Sequence, residues 1–354
     1  MLSCIPVNTV PTEAARTGFT VSVEKCKNVA KCTSTSSTPH QDKKCRKRRR
    51  VDAGNDVYVD LYAVGETLCR ALSALPNEQG SDQVTRTTDT ICRRFMLQKE
   101  VYTRRLEREQ FYQPKNDYVE KVQKNIGKED RKTFVNLQIY CAHVLKMSQE
   151  AIFLSISYFD RFLSTYAMDQ KYLALLSAAC LFIASKYQDS HDSQYTISLL
   201  LETYEISQKS KKQLIAMETK VLKVLDYGLT QPTIDYFLTE YLLRTGNTDN
   251  VTYYLALFLS ELFLTDYASL CFFPSTIALV TASISIKTRG GKYEEPAENN
   301  LKIRTCHSAV HSCFKKELKN DEEHGTMSSV KQIFMTDGYK NVASIKKLNF
   351  DINS

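Results

Sequence analysis

The 354-residue chain is poor in the residues that punctuate strand-and-turn folds, with 11 glycines and 8 prolines. That scarcity favours helices. No apolar run approaches the roughly 20 residues that span a bilayer, so no transmembrane helix is expected. The opening residues Met1-Leu2-Ser3-Cys4-Ile5-Pro6 lack a charged region and a long apolar region, so no secretory signal is expected. The 11 cysteines, spread from Cys4 to Cys313, include no Cys-x-x-Cys pair. A disulfide framework or a zinc site would show denser or paired spacing, and the reading is reduced thiols. There is no Gly-rich phosphate loop, no kinase catalytic-loop pattern and no Gly-x-Ser-x-Gly elbow. The chain is therefore read as non-catalytic and without a cofactor.

Hydrophobic residues make up 43% of the sequence and the net charge is +7. Seven of the eight residues from Lys43 to Arg50 are basic: Lys43, Lys44, Arg46, Lys47, Arg48, Arg49 and Arg50. Removing them leaves the rest formally neutral, so the basicity is local rather than a nucleic-acid-binding face. The run reads as a nuclear localisation signal for importin, with a nuclear location and exchange with the cytoplasm. Thr38-Pro39 upstream matches a proline-directed phosphorylation site, where added charge would tune that signal. Arg94-Phe95-Met96-Leu97 fits a minimal Arg-x-x-Leu degradation pattern, but its place in a helical stretch favours a plain helix face.

The length accommodates a tail and two domains. Residues 1–85 are Thr/Ser/Lys-rich with little apolar periodicity and read as largely disordered, with one weak helical pattern from Val57 to Leu75. A helix from about Thr88 to Glu109 and a connector fill 86–127. Residues 128–229 form a first helical bundle and 230–354 a second. In the first, Phe134, Leu137, Tyr140, Cys141 and Val144 recur at helical spacing over 129–146. Ser148 is a predicted N-cap. Ile152, Ile156, Phe159 and Leu163 form the next stripe. Tyr172 to Ile183 is apolar all round, which predicts a helix buried on every side. A further helix spans about Ser207 to Leu225, and Pro232 is expected to open the next. The pattern recurs with Val251–Asp266 and the apolar Pro274–Ile286, implying a duplicated all-α architecture of about five helices per unit. Cys306, His307, His311 and Cys313 hint at a metal cluster, but the cysteines fall on other faces than the histidines, and a structural helix is preferred.

Several segments together resemble the cyclin family. Tyr158-Phe159-Asp160-Arg161-Phe162-Leu163-Ser164 is similar to the cyclin-box signature, and Leu181 to Asp189 to the segment one helix later. Met217-Glu218 with Val221 to Leu225 resembles the end of the first box. Gln231 to Leu238, Leu259 to Asp266 and Phe273 to Ala278 are similar to the second box. Tyr339 to Ser344 resembles the C-terminal tail. The resemblance covers about residues 90–350. It leans to the A/B mitotic type, with Met96-Leu97-Gln98-Lys99-Glu100 closer to the E type.

The resemblance implies two tandem cyclin boxes and a regulatory subunit that binds and activates a cyclin-dependent serine/threonine kinase as a heterodimer. No direct contact with nucleic acid or membrane is implied. The alternatives are a cyclin-fold scaffold and a transcription-type cyclin. By resemblance, Arg131 and Asp160 form a structural ion pair and Leu175 is a core residue. Lys186 and Glu218 meet the kinase, with Tyr187, Phe162 and Leu222 beside them. A substrate-docking row maps to Asp130, Thr133, Phe134, Leu137 and Ala174, and it is degenerate. Where the A, B and E types carry Met-Arg-Ala-Ile-Leu and then Trp, this chain carries Asp130-Arg131-Lys132-Thr133-Phe134 and then Leu137, with Ala174 in place of a Gln. A charged Asp130 beside an apolar groove is expected to weaken docking of an Arg-x-Leu-type motif.

Overall fold

The computed structural model describes residues 98–189, 193–291, 301–324, 327–345 and 347–350. The tail, the Lys43–Arg50 run, Thr38-Pro39, the Val57–Leu75 pattern and Arg94 to Leu97 lie outside them. Among the described residues the regular structure is all helical. Of the helix expected from Thr88 to Glu109, residues 98–109 are described and form helix α1.

Five helices follow as a first bundle: α2 Lys128–Val144, α3 Gln149–Thr165, α4 Leu173–Gln188, α5 Ser193–Thr203 and α6 Lys211–Val224. Helix α4 is the hub, packed on α2, α3, α5 and α6. Its residues from Leu176 to Ser185 are buried without a break, as all-round apolarity requires. Ser148 caps α3, its Oγ accepting from the Ala151 N–H at 3.2 Å. Helix α5 was not anticipated.

The second bundle repeats the plan with α7 Ile234–Arg244, α8 Asn250–Thr265, α9 Pro274–Thr288, α10 Leu301–His324 and α11 Ser329–Phe334. Helix α9 packs on α7, α8 and α10. Pro274 opens it at a position where the missing N–H costs nothing. Pro232 does not open α7. It stands just before the cap, and Thr233 takes that role, accepting from the Tyr236 N–H at 3.3 Å while its hydroxyl donates to Glu150 Oε2 at 2.6 Å.

The bundles join through polar as well as apolar contacts. His143 of α2 bonds Glu261 Oε2 of α8 at 3.0 Å through Nε2, and its Nδ1 meets the Tyr339 hydroxyl at 3.0 Å. Glu261 is fully buried. Helix α1 lies against the second bundle, with Tyr102 edge-on to Phe237 and Arg105 over the Tyr236 ring at 3.9 Å. Its last residue, Glu109, accepts from the Ser275 N–H at 3.0 Å and the Ser275 hydroxyl at 2.6 Å. A carboxylate there complements the amino-terminal dipole of α9. Burial pushes the Glu109 carboxyl up, partly countered by the Ser275 bonds.

Candidate functional site

Two Lys/Arg–carboxylate pairs dominate the first bundle, and their surroundings are opposite. Arg131 and Asp160 are buried, joining α2 to α3. Arg131 Nε donates to Asp160 Oδ1 at 2.7 Å and Nη2 to Oδ2 at 2.8 Å, a two-pronged bridge. Nη1 donates to the Leu264 carbonyl at 2.9 Å, reaching the end of α8. The Tyr118 hydroxyl donates to Asp160 Oδ1 at 2.9 Å. Burial alone would lower the Arg131 pKa, but the Asp160 charge and hydrogen bonds outweigh it, and the net shift is upward. Burial, then the Asp160 charge, pushes the Tyr118 phenol well up. Every partner of this pair is internal, so its work is to lock helices together.

The second pair lies at the surface. Lys186, in the last turn of α4, bonds Glu218 of α6. The Lys186 side chain is 37% exposed and that of Glu218 12%. The ammonium stands 4.2 Å above the Phe182 ring, so apolar packing holds the stem while donors face outward. An ammonium has three donors and a carboxylate several acceptor sites, so capacity remains for a partner's backbone.

Tyr187 extends this surface. Its hydroxyl lies 2.5 Å from Thr230 Oγ1 in the segment between the bundles. The Thr230 carbonyl accepts from Arg108 Nη2 of α1 at 3.0 Å, and the same nitrogen lies 3.3 Å from the Tyr112 hydroxyl. Arg161 stacks at 4.8 Å on the Tyr112 ring and donates to the Gly228 carbonyl at 2.9 Å. The end of α4, the inter-bundle segment and the end of α1 therefore share one face. Gly228 is crowded: an added Cβ would lie 3.2 Å from the Leu225 carbonyl and 3.2 Å from the Tyr112 ring. Beside Tyr112, Phe111 is 83% exposed, and beside Gly228, Tyr227 is 64% exposed. Tyr227 and Asp226 both hold positive φ, 53° and 49°. A left-handed tyrosine with an outward ring is strained backbone, which concentrates at binding sites. Sequence reasoning missed Phe111, Tyr112, Tyr227 and Thr230. Tyr227 before Gly228 was the available signal.

The structure corrects two assignments and refines others. Phe162 is fully buried, tilted against Tyr166 at 5.5 Å, and has no surface to offer a partner. Leu175 is half-buried at the edge of the core, between the fully buried Leu173 and Leu176. Leu222 is half-buried beside the core. In the docking row, Asp130 is no bare charge. Its Oδ2 accepts from the Gly127 N–H at 2.7 Å and its Oδ1 from Gln170 Nε2 at 2.7 Å. Thr133 is exposed and its hydroxyl bonds back to the Glu129 carbonyl at 2.9 Å. Phe134, Leu137 and Ala174 are half-buried along α2 and α4. The Asp130–Gln170 bond ties the start of α2 to the short turn that precedes α4, at one end of that row. His307 and His311 share a face of α10, while Cys306 and Cys313 are buried on the other side. No group of three or more metal-type ligands occurs among the described residues.

Each of the two bundles matches a known family model. Residues 88–230 match the model described as "Cyclin, N-terminal domain", and 232–348 match "Cyclin, C-terminal domain". The chain is 30% identical over 253 residues to a G2/mitotic-specific cyclin-A of Patella vulgata, covering 70% of this chain and 57% of that protein. It is 26% identical to Cyclin-A3-3 of Arabidopsis thaliana over 76% of this chain and 84% of the relative. It is 32% identical to Cyclin-A2 of Bos taurus over 55% and 44%. The chain thus spans about half the length of several relatives. A crystal structure of a viral cyclin from herpesvirus saimiri superposes with a TM-score of 0.51 at 18% identity, covering 61% of this chain and 99% of that one, a likeness of fold.

Proposed function

This chain belongs to the cyclin family, A-type-like, and we propose that it is the regulatory subunit that binds and activates a cyclin-dependent serine/threonine kinase. Members of this family are regulatory subunits rather than catalysts, and the phosphoryl transfer belongs to the partner. The observation that carries the proposal is the surface where the Lys186–Glu218 pair, Tyr187, Thr230 and Tyr112 meet, with Phe111 and Tyr227 exposed next to it in sequence. Its exposed aromatic rings are of the kind enriched at interface centres, and the Lys186–Glu218 pair adds directed hydrogen-bonding groups.

The mechanism is population shift. A kinase whose mobile helix exchanges between inward and outward positions is activated by a partner that prefers the inward one. The preference must come from differential contacts. Lys186 and Glu218 can pin exposed backbone on that helix while the aromatic residues cover its apolar side. Inward placement aligns the kinase's own Lys–Glu pair and opens its activation loop.

Substrate selection differs from that of relatives with an apolar docking row. With Asp130 engaged at both oxygens, the groove offers no Met-like wall for a leucine anchor. The Lys43–Arg50 run is proposed to direct nuclear import through importin, on the strength of its composition.

The test is capture of a kinase from cell extract by the full chain, with a histone-kinase assay on the eluate. Wild type should recover activity, and Lys186→Ala/Glu218→Ala should recover less than a tenth as much. A wild-type chain that brings down no kinase activity would favour the scaffold reading.

A further inference from the structure

Helix α10 carries a second surface that the kinase-binding reading leaves unused. Its inner side is apolar and buried, with Cys306, Val310, Cys313 and Phe314 against the second bundle. Its outer side forms the floor of an open groove of about 510 Å³. The wall is Phe350, from the C-terminal segment that is tied to α9 by the Asn349 N–H donating to Thr288 Oγ1 at 3.0 Å. Phe350 stacks on the His311 ring at 4.1 Å and lies edge-on to His307 at 5.8 Å. Both imidazoles are therefore held in place by packing.

The charged groups among the described lining residues have one sign. His307, His311, Lys315 and Lys319 follow one another at four-residue steps on one helix face, with Lys316 alongside. Among the described residues no carboxylate lines the groove. Lys316 and Lys319 each reach an acid outside it, Asp266 and Glu323, both at 3.4 Å. Lys315 is exposed and has no ion-pair partner among the described residues. Ser308 and Ser312 present hydroxyls to the same space. Elsewhere, helix hydroxyls bond back to the carbonyl four residues earlier, as in Thr305, Ser283, Ser285 and Thr288. The hydroxyls of Ser308 and Ser312 make no such bond and remain available as donors. Burial first, then the neighbouring His311 and Lys287 charges, lowers the His307 pKa. Burial and then Lys315 lowers that of His311. The groove thus gathers cations, free hydroxyls and imidazoles that a bound anion would help to protonate.

We propose that this groove is a docking site for a phosphorylated peptide segment of a partner protein. A phosphate ester brings close to two negative charges and three acceptor oxygens, matched by the Lys315 and Lys319 ammoniums and the Ser312 hydroxyl. The stripe from His307 to Lys319 is about 18 Å long at the helical rise. That length accommodates roughly five residues of extended peptide. Asp321, Glu322 and Glu323 follow on the next turn of α10 and close that end to a longer polyanion, which favours a peptide over a nucleic-acid strand.

The test uses the full chain and a fluorescein-labelled nonapeptide pool with a fixed central phosphoserine. The same pool with unmodified serine, inorganic phosphate and a single-stranded oligonucleotide serve as comparisons. The phosphorylated pool should bind at least tenfold more tightly than the unmodified one. Lys315→Glu/Lys319→Glu should abolish that difference, and Lys315→Gln/Lys319→Gln, with an unchanged melting temperature, should reduce it severalfold. Lys209→Glu, an exposed charge in the first bundle, should leave it intact. The Lys43–Arg50 run is present in every variant and cancels in the comparison. Equal binding of the two pools would overturn the proposal, as would an equal loss in Lys209→Glu. Displacement by inorganic phosphate as effective as by the phosphopeptide would reduce the groove to a free-anion site. Tighter groove-dependent binding of the oligonucleotide would replace the peptide with nucleic acid.

Discussion

Arg131–Asp160 and Lys186–Glu218 are built from the same chemistry and differ in where their spare hydrogen bonds go. The buried pair spends its capacity on Leu264 and Tyr118 within the molecule. The surface pair is partly exposed, Lys186 by 37% and Glu218 by 12%, and the exposed Tyr187 follows Lys186 in sequence. A buried pair that loses one partner leaves an uncompensated charge, whereas an exposed pair is worth little to stability. The comparison therefore separates holding the fold from holding a partner.

The largest effect is expected at the buried pair. Asp160→Ala should destabilise the chain by about 3–5 kcal/mol, because Arg131 is then buried without its counter-charge. Chemical denaturation measures this, and a loss below about 1 kcal/mol would show that Arg131 finds another partner. At the docking row, Asp130→Met/Thr133→Ile/Leu137→Trp should confer binding of an Arg-x-Leu peptide, measured by fluorescence anisotropy. It should cost about 1 kcal/mol through the lost bond to the Gly127 N–H. Peptide binding equal to wild type would mean that the row is not the selectivity element.

A smaller effect is expected at Tyr227. Tyr227→Gly relieves a left-handed residue, a strain of about 1–2 kcal/mol, offset in part by glycine's greater unfolded-state freedom. Stability should rise by less than about 1 kcal/mol while kinase affinity falls severalfold. Unchanged affinity would remove the exposed ring from the interface. The smallest effect concerns pH. Burial raises the carboxyl pKa of Glu109 and of Glu150. A raised acid binds more protons folded than unfolded, so each lowers stability as pH climbs from its unfolded pKa through its folded one. Glu109→Gln should flatten the decline in melting temperature above about pH 4.5. A steeper decline in the variant would contradict this sign.

What was legible in the sequence follows from the range of the forces involved. The helices α4 and α9 announced themselves because burial on all sides demands apolar residues at every position, as from Leu176 to Ser185. Ser148 was legible because a cap acts over three residues. The Arg131–Asp160 and Lys186–Glu218 assignments came through resemblance. The partner surface was less visible because its bonds join distant segments: Tyr187 to Thr230, Arg108 to Thr230 and Glu109 to Ser275. Phe162 was misassigned because sequence order does not separate it from Arg161, the one residue of the Tyr158–Ser164 signature that is not buried. Leu175 shows the same limit at the core's edge, since one residue's rotation on α4 separates it from the buried Leu176. Pro232 matches the sequence pattern of a helix start, but the capping bond falls to Thr233.

The most direct measurement pairs a thermal melt with kinase capture on one preparation of Lys186→Ala/Glu218→Ala. The account predicts a melting temperature within about 3 °C of wild type and at least a tenfold loss of captured kinase activity. Full capture by the variant, or a collapse of its melting temperature comparable to that of Asp160→Ala, would contradict the division between a pair that holds the fold and a pair that holds the partner.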